Sequence, residues 1–298
     1  MTYYRAAPIL GLPGVRTVLT IAGFDPSSGA GVTADLMVFA AHGLYGTSCI
    51  TALTVQSTLG VAASHPVGAE IVGATLDQLT EDLAPGGVKI GLLGTAEIVA
   101  VVAEFLEVFL EQHPGTPVVL DPVVRSSSGR ELLSPEGVEL LRTRLLPLVG
   151  WVTPNLDELS VLTGERVRTR AEAAVAGRRL QRENEGLAVV VTGGHLDPPD
   201  DLVLLPGGDD VRWLQGDHVQ TMSTHGTGCA FSSALLSRLV LGDDAHGAAG
   251  AAKEYVAEAL RTAEGIGHGH GPVNHLWPLR RSMNHSTPRS MRRSGTSS

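Results

Sequence analysis

The sequence predicts an α/β sandwich: a central, mainly parallel sheet with helices on both faces. Three observations carry that prediction. Short runs rich in β-branched residues alternate with helical patterns almost to the end of the chain. Several of these runs are apolar on both faces, as strands are when helices cover both sides of a parallel sheet. Nearly every run also exits into glycine or a polar residue, as expected where one sheet edge offers its carboxyl ends to a ligand.

In order, TVLTIAG (17–23) reads as a strand and GAGVTADLMVFAAHG (29–43) as a helix. TSCITALTV (47–55) is the second strand, followed by a connection and a helix near 68–83. VKIGLL (88–93), PVVLD (117–121), WVTPN (151–155) and LAVVVTGG (187–194) are further strands. Between them the periodicity places helices at 95–112, 134–147, 171–185 and, more briefly, in DELSVLTG. DLVLLPGGDDVRWLQGDHVQT breaks the rhythm and reads as a small meander turning at PGGDD and QGD. Two helices follow, 228–241 and 244–263. No internal repeat or linker divides the chain, so one domain is expected over 15–278, with an extension at 1–14 and a basic tail at 279–298. The tail has little apolar content and no periodicity, which predicts disorder.

Composition narrows the function. With 298 residues the chain can bury a sizeable core. A net charge of −9 opposes binding to nucleic-acid phosphates, and 4% aromatic content leaves few platforms for stacked bases. Two cysteines, Cys49 and Cys229, make no disulfide framework and suit a reducing cytoplasm. MTYYRAAPILGLPGV lacks the pattern of a secretory signal, and no run approaches the ~20 apolar residues of a membrane span.

The chemistry concentrates in THGTGCAFSSALLSRL (224–239). Phe231, Ala234, Leu235 and Leu239 recur at helical spacing, so a helix begins near Gly228. Its first N–H groups lack intrahelical partners, and glycine lets an anion approach them. A thiol at Cys229 is biased toward thiolate by the helix start; the alternative is a small cysteine packed as an apolar residue. A Cys229/His225 nucleophilic pair is less attractive, because residues so close at a turn need not face each other. GAGVTA (29–34) fits a dinucleotide fingerprint poorly, because FDPSS lengthens the turn and Gln56 stands where an acid belongs. His268, His270 and His275 in GIGHGHGPVNH invite a metal reading, against which a glycine-rich loop is the simpler one.

Taken together, AGFDPSSGAGVTADL, ITALTVQSTLGV, KIGLLG, VVLDPVV, TPNLDEL, GGHL, THGTGCAFSSAL and GPVNH resemble, in order, the hydroxymethylpyrimidine/phosphomethylpyrimidine kinases of thiamin biosynthesis. The likeness spans about residues 15–276. It implies a ribokinase-like three-layer α/β/α sandwich, cytoplasmic, commonly a homodimer. It also implies ATP- and Mg²⁺-dependent phosphorylation of 4-amino-5-hydroxymethyl-2-methylpyrimidine and then of its monophosphate, with no nucleic-acid or membrane partner.

By position, Gly23, Asp35, Gln56, Leu92 and Val123 resemble the pyrimidine pocket. A carboxamide such as Gln56 can answer both the amine and the ring nitrogens of an aminopyrimidine. Gly226, Thr227, Gly228 and Cys229 resemble the catalytic turn, Cys229 standing where most of the superfamily has an aspartate base. Asp121, Asn155, Glu158, Thr192, Gly194 and Thr224 resemble residues around the ATP phosphates. Asp121 and Glu158 would serve Mg²⁺ through water; Asn155 is equally a helix cap. Ser127 and Thr192 occupy positions where many relatives have lysine, leaving Arg125 or Arg130 to substitute. A pyridoxal kinase of the same fold, or a pyrimidine-binding protein without catalysis, are the alternative readings.

Overall fold

Alternation along the strands divides the core into two layers. The computed structural model describes residues 14–126, 129–208 and 210–279; the expected extension through residue 13 and the tail from 280 lie outside the described residues. The strands are β1 (Thr17–Phe24), β2 (Tyr45–Ser57), β3 (Gly60–Pro66), β4 (Val88–Ile90) and β5 (Val118–Leu120). β6 (Trp151–Val152), β7 (Ala188–Val191), β8 (Asp201–Leu204) and β9 (Arg212–Leu214) complete one nine-stranded sheet, ordered β3-β2-β1-β4-β5-β6-β7-β8-β9. The pairs from β2 through β7 are parallel, and β3, β8 and β9 each pair antiparallel with a neighbour.

The helices are α1 (Gly31–Ala41), α2 (Ala69–Asp82), α3 (Ala96–Gln112), α4 (Pro135–Leu140), α5 (Leu156–Thr163), α6 (Arg170–Glu183), α7 (Thr227–Leu241) and α8 (Ala245–Arg261). Leu19, Ile21, Ile90, Leu120, Val189 and Val191 point to one face, where α2 through α6 cover them. Val18, Val119, Val190 and Val203 point to the other, under α1, α7 and α8. The three-layer sandwich expected from the sequence is therefore present.

Local chemistry sets the helix ends. Thr95 caps α3, Thr169 and Glu172 form a reciprocal box on α6, and Asp244 caps α8 through the Gly247 N–H. The helix expected over 134–147 starts on Ser134–Pro135, then widens into a π-turn over Leu141–Leu145 and tightens over Leu146–Leu148. Two expectations change. Residues 60–66, read as a connection, form β3, an edge strand whose single partner demands no apolar alternation. The meander has one turn between paired strands, β8 to β9; the chain after QGD carries no further strand to Thr221.

Candidate active site

α1 and α7 both begin at the carboxyl rim of the parallel strands, and neither has a side-chain cap. Gly226 stands at the cap position of α7 with φ +85°, and a Cβ there would lie 1.8 Å from the Gly29 carbonyl. Gly31 opens α1 with φ +63°, and a Cβ there would lie 2.1 Å from the Gly23 carbonyl. Only glycine allows these two loops to interleave. The result brings Gly23, Gly31 and the 226–229 turn together, with backbone donors of Thr227, Gly228 and Cys229 free of side-chain capping. Gly228 and Thr224 are exposed.

Beneath this turn lies a charge pair that sequence reasoning missed. Lys89 and Asp35 are both 0% exposed, and the Lys89 ammonium donates to the two carboxylate oxygens at 3.1 and 2.9 Å. Thr20 donates to Asp35 at 2.6 Å and Ser233, one turn along α7 from Cys229, at 2.8 Å. Asp35, expected on the wall of the pyrimidine pocket, is thus buried with Lys89, Thr20 and Ser233 around its carboxylate. The signal available in the sequence was parity: Thr20 and Lys89 alternate onto the α1/α7 face of their strands. Burial opposes the Lys89 charge, but Asp35, the Cys229 sulfur and Asp121 together hold its pKa above the ordinary range.

The thiol departs from expectation as well. Burial pushes the Cys229 pKa up to about 12, and Asp35 and Asp121 add to it. Lys89 and the Gly31 N–H pull the other way and are outweighed. The resting thiol is therefore protonated, because burial counts for more than the helix start.

Asp121 sits at the end of β5 under the first turn of α7, where Ser232 donates to it at 3.2 Å. Burial raises its pKa, with Asp35 adding and Lys89 opposing. Burial and Asp121 push Glu158 up to about 8. Glu158 and Asn155 form the capping box of α5: Asn155 Oδ1 accepts from the Asp157 and Glu158 amides, and Glu158 Oε2 accepts from the Asn155 N–H at 2.9 Å. The cap and the site thus use the same residues. Thr192 bridges to Asn155 through backbone pairing at the end of β7, and exposed Gly194 follows with open space around it.

On the pyrimidine side, Gly23 and Leu92 touch, since a Cβ on Gly23 would lie 2.8 Å from the Leu92 side chain. Val123 follows Asp121 and is half-buried. Gln56 lies 3.0 Å from the Nε2 of His225, and that nitrogen is 2.7 Å from Asp25 Oδ2. Asp25 is a second residue the sequence did not single out. Burial raises its pKa, but the His225 ring and two bonds from Ser27 hold it below the usual carboxylate range. Arg130, expected to replace a lysine, instead donates to the Val61 and Ala62 carbonyls of β3, and Arg125 pairs with Glu131 at 3.5 Å. Ser127 lies outside the described residues. His268 and His270 are exposed, His275 is buried, and among the described residues no group of three ligating side chains is disposed to hold a metal. No helix of the described residues is long and apolar enough to cross a membrane.

The phosphomethylpyrimidine kinase family model matches residues 25–274. A Haemophilus influenzae hydroxymethylpyrimidine/phosphomethylpyrimidine kinase is 39% identical over 269 residues, covering 89% of this chain and 98% of that one. A Clostridium difficile phosphomethylpyrimidine kinase structure superposes with a TM-score of 0.70 at 34% identity, covering 82% of this chain and 99% of the other. A Bacillus subtilis pyridoxal kinase solved as an ADP complex gives a TM-score of 0.79 at 30% identity, covering 89% and 99%.

Proposed function

The chain belongs to the phosphomethylpyrimidine kinase family, and from that premise we propose how its rim performs the reaction. It is a kinase that uses ATP to phosphorylate 4-amino-5-hydroxymethyl-2-methylpyrimidine and then the monophosphate, in thiamin biosynthesis. The observation that carries the site assignment is the meeting of two uncapped helix starts, Gly31 and Gly226–Cys229, over Lys89 and Asp121. Phosphoryl transfer asks chiefly for positioned donors around the moving group and for charge neutralisation. The amides of Thr227, Gly228 and Cys229 supply donors for the γ-phosphate, and Thr224, Thr192 and Gly194 lie along the rim toward the remaining phosphates.

Gly23, Leu92 and Val123 offer apolar or backbone surface for the pyrimidine ring. Gln56 supplies donor and acceptor once its carboxamide turns from His225 to the substrate. Because the resting thiol is protonated, Cys229 acts first by placing the acceptor hydroxyl. In a loose transition state that hydroxyl needs little help before its proton leaves. That proton passes to an oxygen of the transferred phosphoryl group, since the protonated thiol cannot take it, while Lys89 keeps a positive charge beneath the turn where phosphate charge gathers.

The donor set fits Mg²⁺. Asp121 and Glu158 are buried carboxylates at the carboxyl rim, and their hard oxygens are of the kind that suits Mg²⁺. When bound with ATP, the ion would neutralise phosphate charge beside Asp121 and Glu158, in part through water. Exposed Leu53, Val55 and Leu59 on β2 and its hairpin supply apolar surface for a homodimer; light scattering at twice the chain mass is the expected result.

The deciding experiment measures ADP release with the pyrimidine alcohol, its monophosphate and pyridoxal. The pyrimidines should react faster than pyridoxal, and Cys229→Ala should lower kcat by about 10²-fold. Faster turnover of pyridoxal would favour a pyridoxal kinase, as would befit its structural neighbour of that name. Unimpaired Cys229→Ala would assign the thiol to packing.

A further inference from the structure

His275 plays no part in the site as described, yet it holds that site together. Its Nε2–H donates to the Gly29 carbonyl at 2.9 Å, while its Nδ1 is buried without a partner. The residue is 4% exposed. Burial keeps the ring neutral, so one nitrogen donates and the other is left bare. A residue retained only to fill space would leave no buried polar atom unsatisfied, so the imidazole calls for another explanation.

The Gly29 carbonyl that His275 grips is the contact on which the two loops turn. It packs against Gly226, where a Cβ would come within 1.8 Å of it and within 3.3 Å of the His275 ring. On its other side the His225 ring lies so close to Gly29 that a Cβ there would meet it at 2.2 Å. Two residues further on, the Gly31 N–H acts on the Cys229 thiol and draws its pKa down. His275 is itself anchored from two directions. Tyr255 on α8 donates its hydroxyl to the His275 carbonyl, and the segment before it pairs with His225, whose N–H donates to Gly271 O at 3.0 Å. The Val273 N–H returns a bond to the His225 carbonyl at 3.2 Å.

We propose that His275 is a positioning residue for phosphoryl transfer: through the Gly29 carbonyl it sets the Gly31 N–H against Cys229 and fixes the approach of the α1 loop to the Gly226–Cys229 turn. The inference rests on the kinase reading for its rate effect and on geometry alone for its effect on the thiol. A glutamine at 275 extends a carboxamide N–H to about the reach of Nε2, whereas leucine fills similar space without a donor.

The test compares the full-length wild type, His275→Leu and His275→Gln by steady-state kinetics with ATP, Mg²⁺ and the pyrimidine alcohol. The same three proteins are assayed for the rate of Cys229 alkylation by iodoacetamide, with Cys49 replaced by alanine throughout. His275→Leu should lower kcat about 30-fold with KM for the pyrimidine within about twofold, since sub-ångström misplacement acts on the transition state. His275→Gln should stay within about threefold of wild type, and the leucine variant's alkylation rate should shift at least about fivefold while the glutamine variant's does not. Unchanged kcat and thiol reactivity in His275→Leu would overturn the proposal, as would equal losses in both variants matching their unfolded fractions by circular dichroism. If the wild type fails to phosphorylate the pyrimidine, the kinase reading falls, and the alkylation rates alone decide the role of His275.

Discussion

Asp35 and Lys89 set the energetics of the site at the scale of single residues. A fully buried ion pair contributes little net stability, but removing one partner strands a charge in a medium that cannot solvate it. Lys89→Met is therefore expected to lower the unfolding free energy by about 3–5 kcal/mol. Lys89→Met with Asp35→Asn should recover most of that loss, read by urea denaturation. If the recovered double variant also turned over at the wild-type rate, the lysine charge would have no part in catalysis. The sequence showed Asp35 as a polar residue on a helix and Lys89 as one polar residue in an apolar strand. Their pairing across 54 positions is visible only when α1 packs over β1, the neighbour of β4. Cys229 teaches the same lesson with the opposite sign: a helix start alone lowers a thiol pKa, and burial, with Asp35 and Asp121 adding to it, reverses the outcome.

At the scale of elements, α7 is the piece on which the function turns. The helices with side-chain caps, such as α3, α5 and α6, close their own first turns. α1 and α7 leave theirs open where ligand donors are wanted. Gly226→Ala places a Cβ against the Gly29 carbonyl at a left-handed φ and so separates the two loops. We expect kcat to fall by about 10²-fold, with a lower melting temperature; wild-type turnover in that variant would show that the interleaving is dispensable. The glycine spacing of THGTGC made this turn legible before any coordinates. The strand β3 was not legible, because an edge strand with one partner leaves no strong alternation in GVAASHP. Nor was the docking of Arg130 on its carbonyls, which depends on how far the β5–α4 loop reaches.

For the whole molecule, the carboxyl rim of the sheet gathers acids from separate elements, and this makes stability depend on pH. Glu158 has its pKa raised to about 8, so between the ordinary glutamate range and that value the folded protein holds a proton that the unfolded chain has lost. Stability in metal-free buffer should consequently fall as pH rises through that window, and Glu158→Gln should flatten the decline. Melting temperatures at pH 5.5 and 8 check both statements; a slope unchanged by Glu158→Gln would place the titration elsewhere. The proposed ion would act on the same pair, offsetting the charge that accumulates there.

By itself the sequence determined the class of the fold, the order of nearly all its elements and the position of the glycine-rich turn that opens α7. These follow from periodicity, capping residues and glycine spacing, which are local properties written in consecutive residues. The tertiary structure alone decided which polar residues reach the carboxyl rim and which are locked inside. Asp35 is buried under the turn and paired with Lys89, Arg130 is tied to β3, and His275 grips Gly29 from 246 residues away. The physical reason is that burial and charge pairing depend on which faces of distant elements meet. Those same meetings set the pKa of Cys229, Asp121 and Glu158, and no run of sequence contains them.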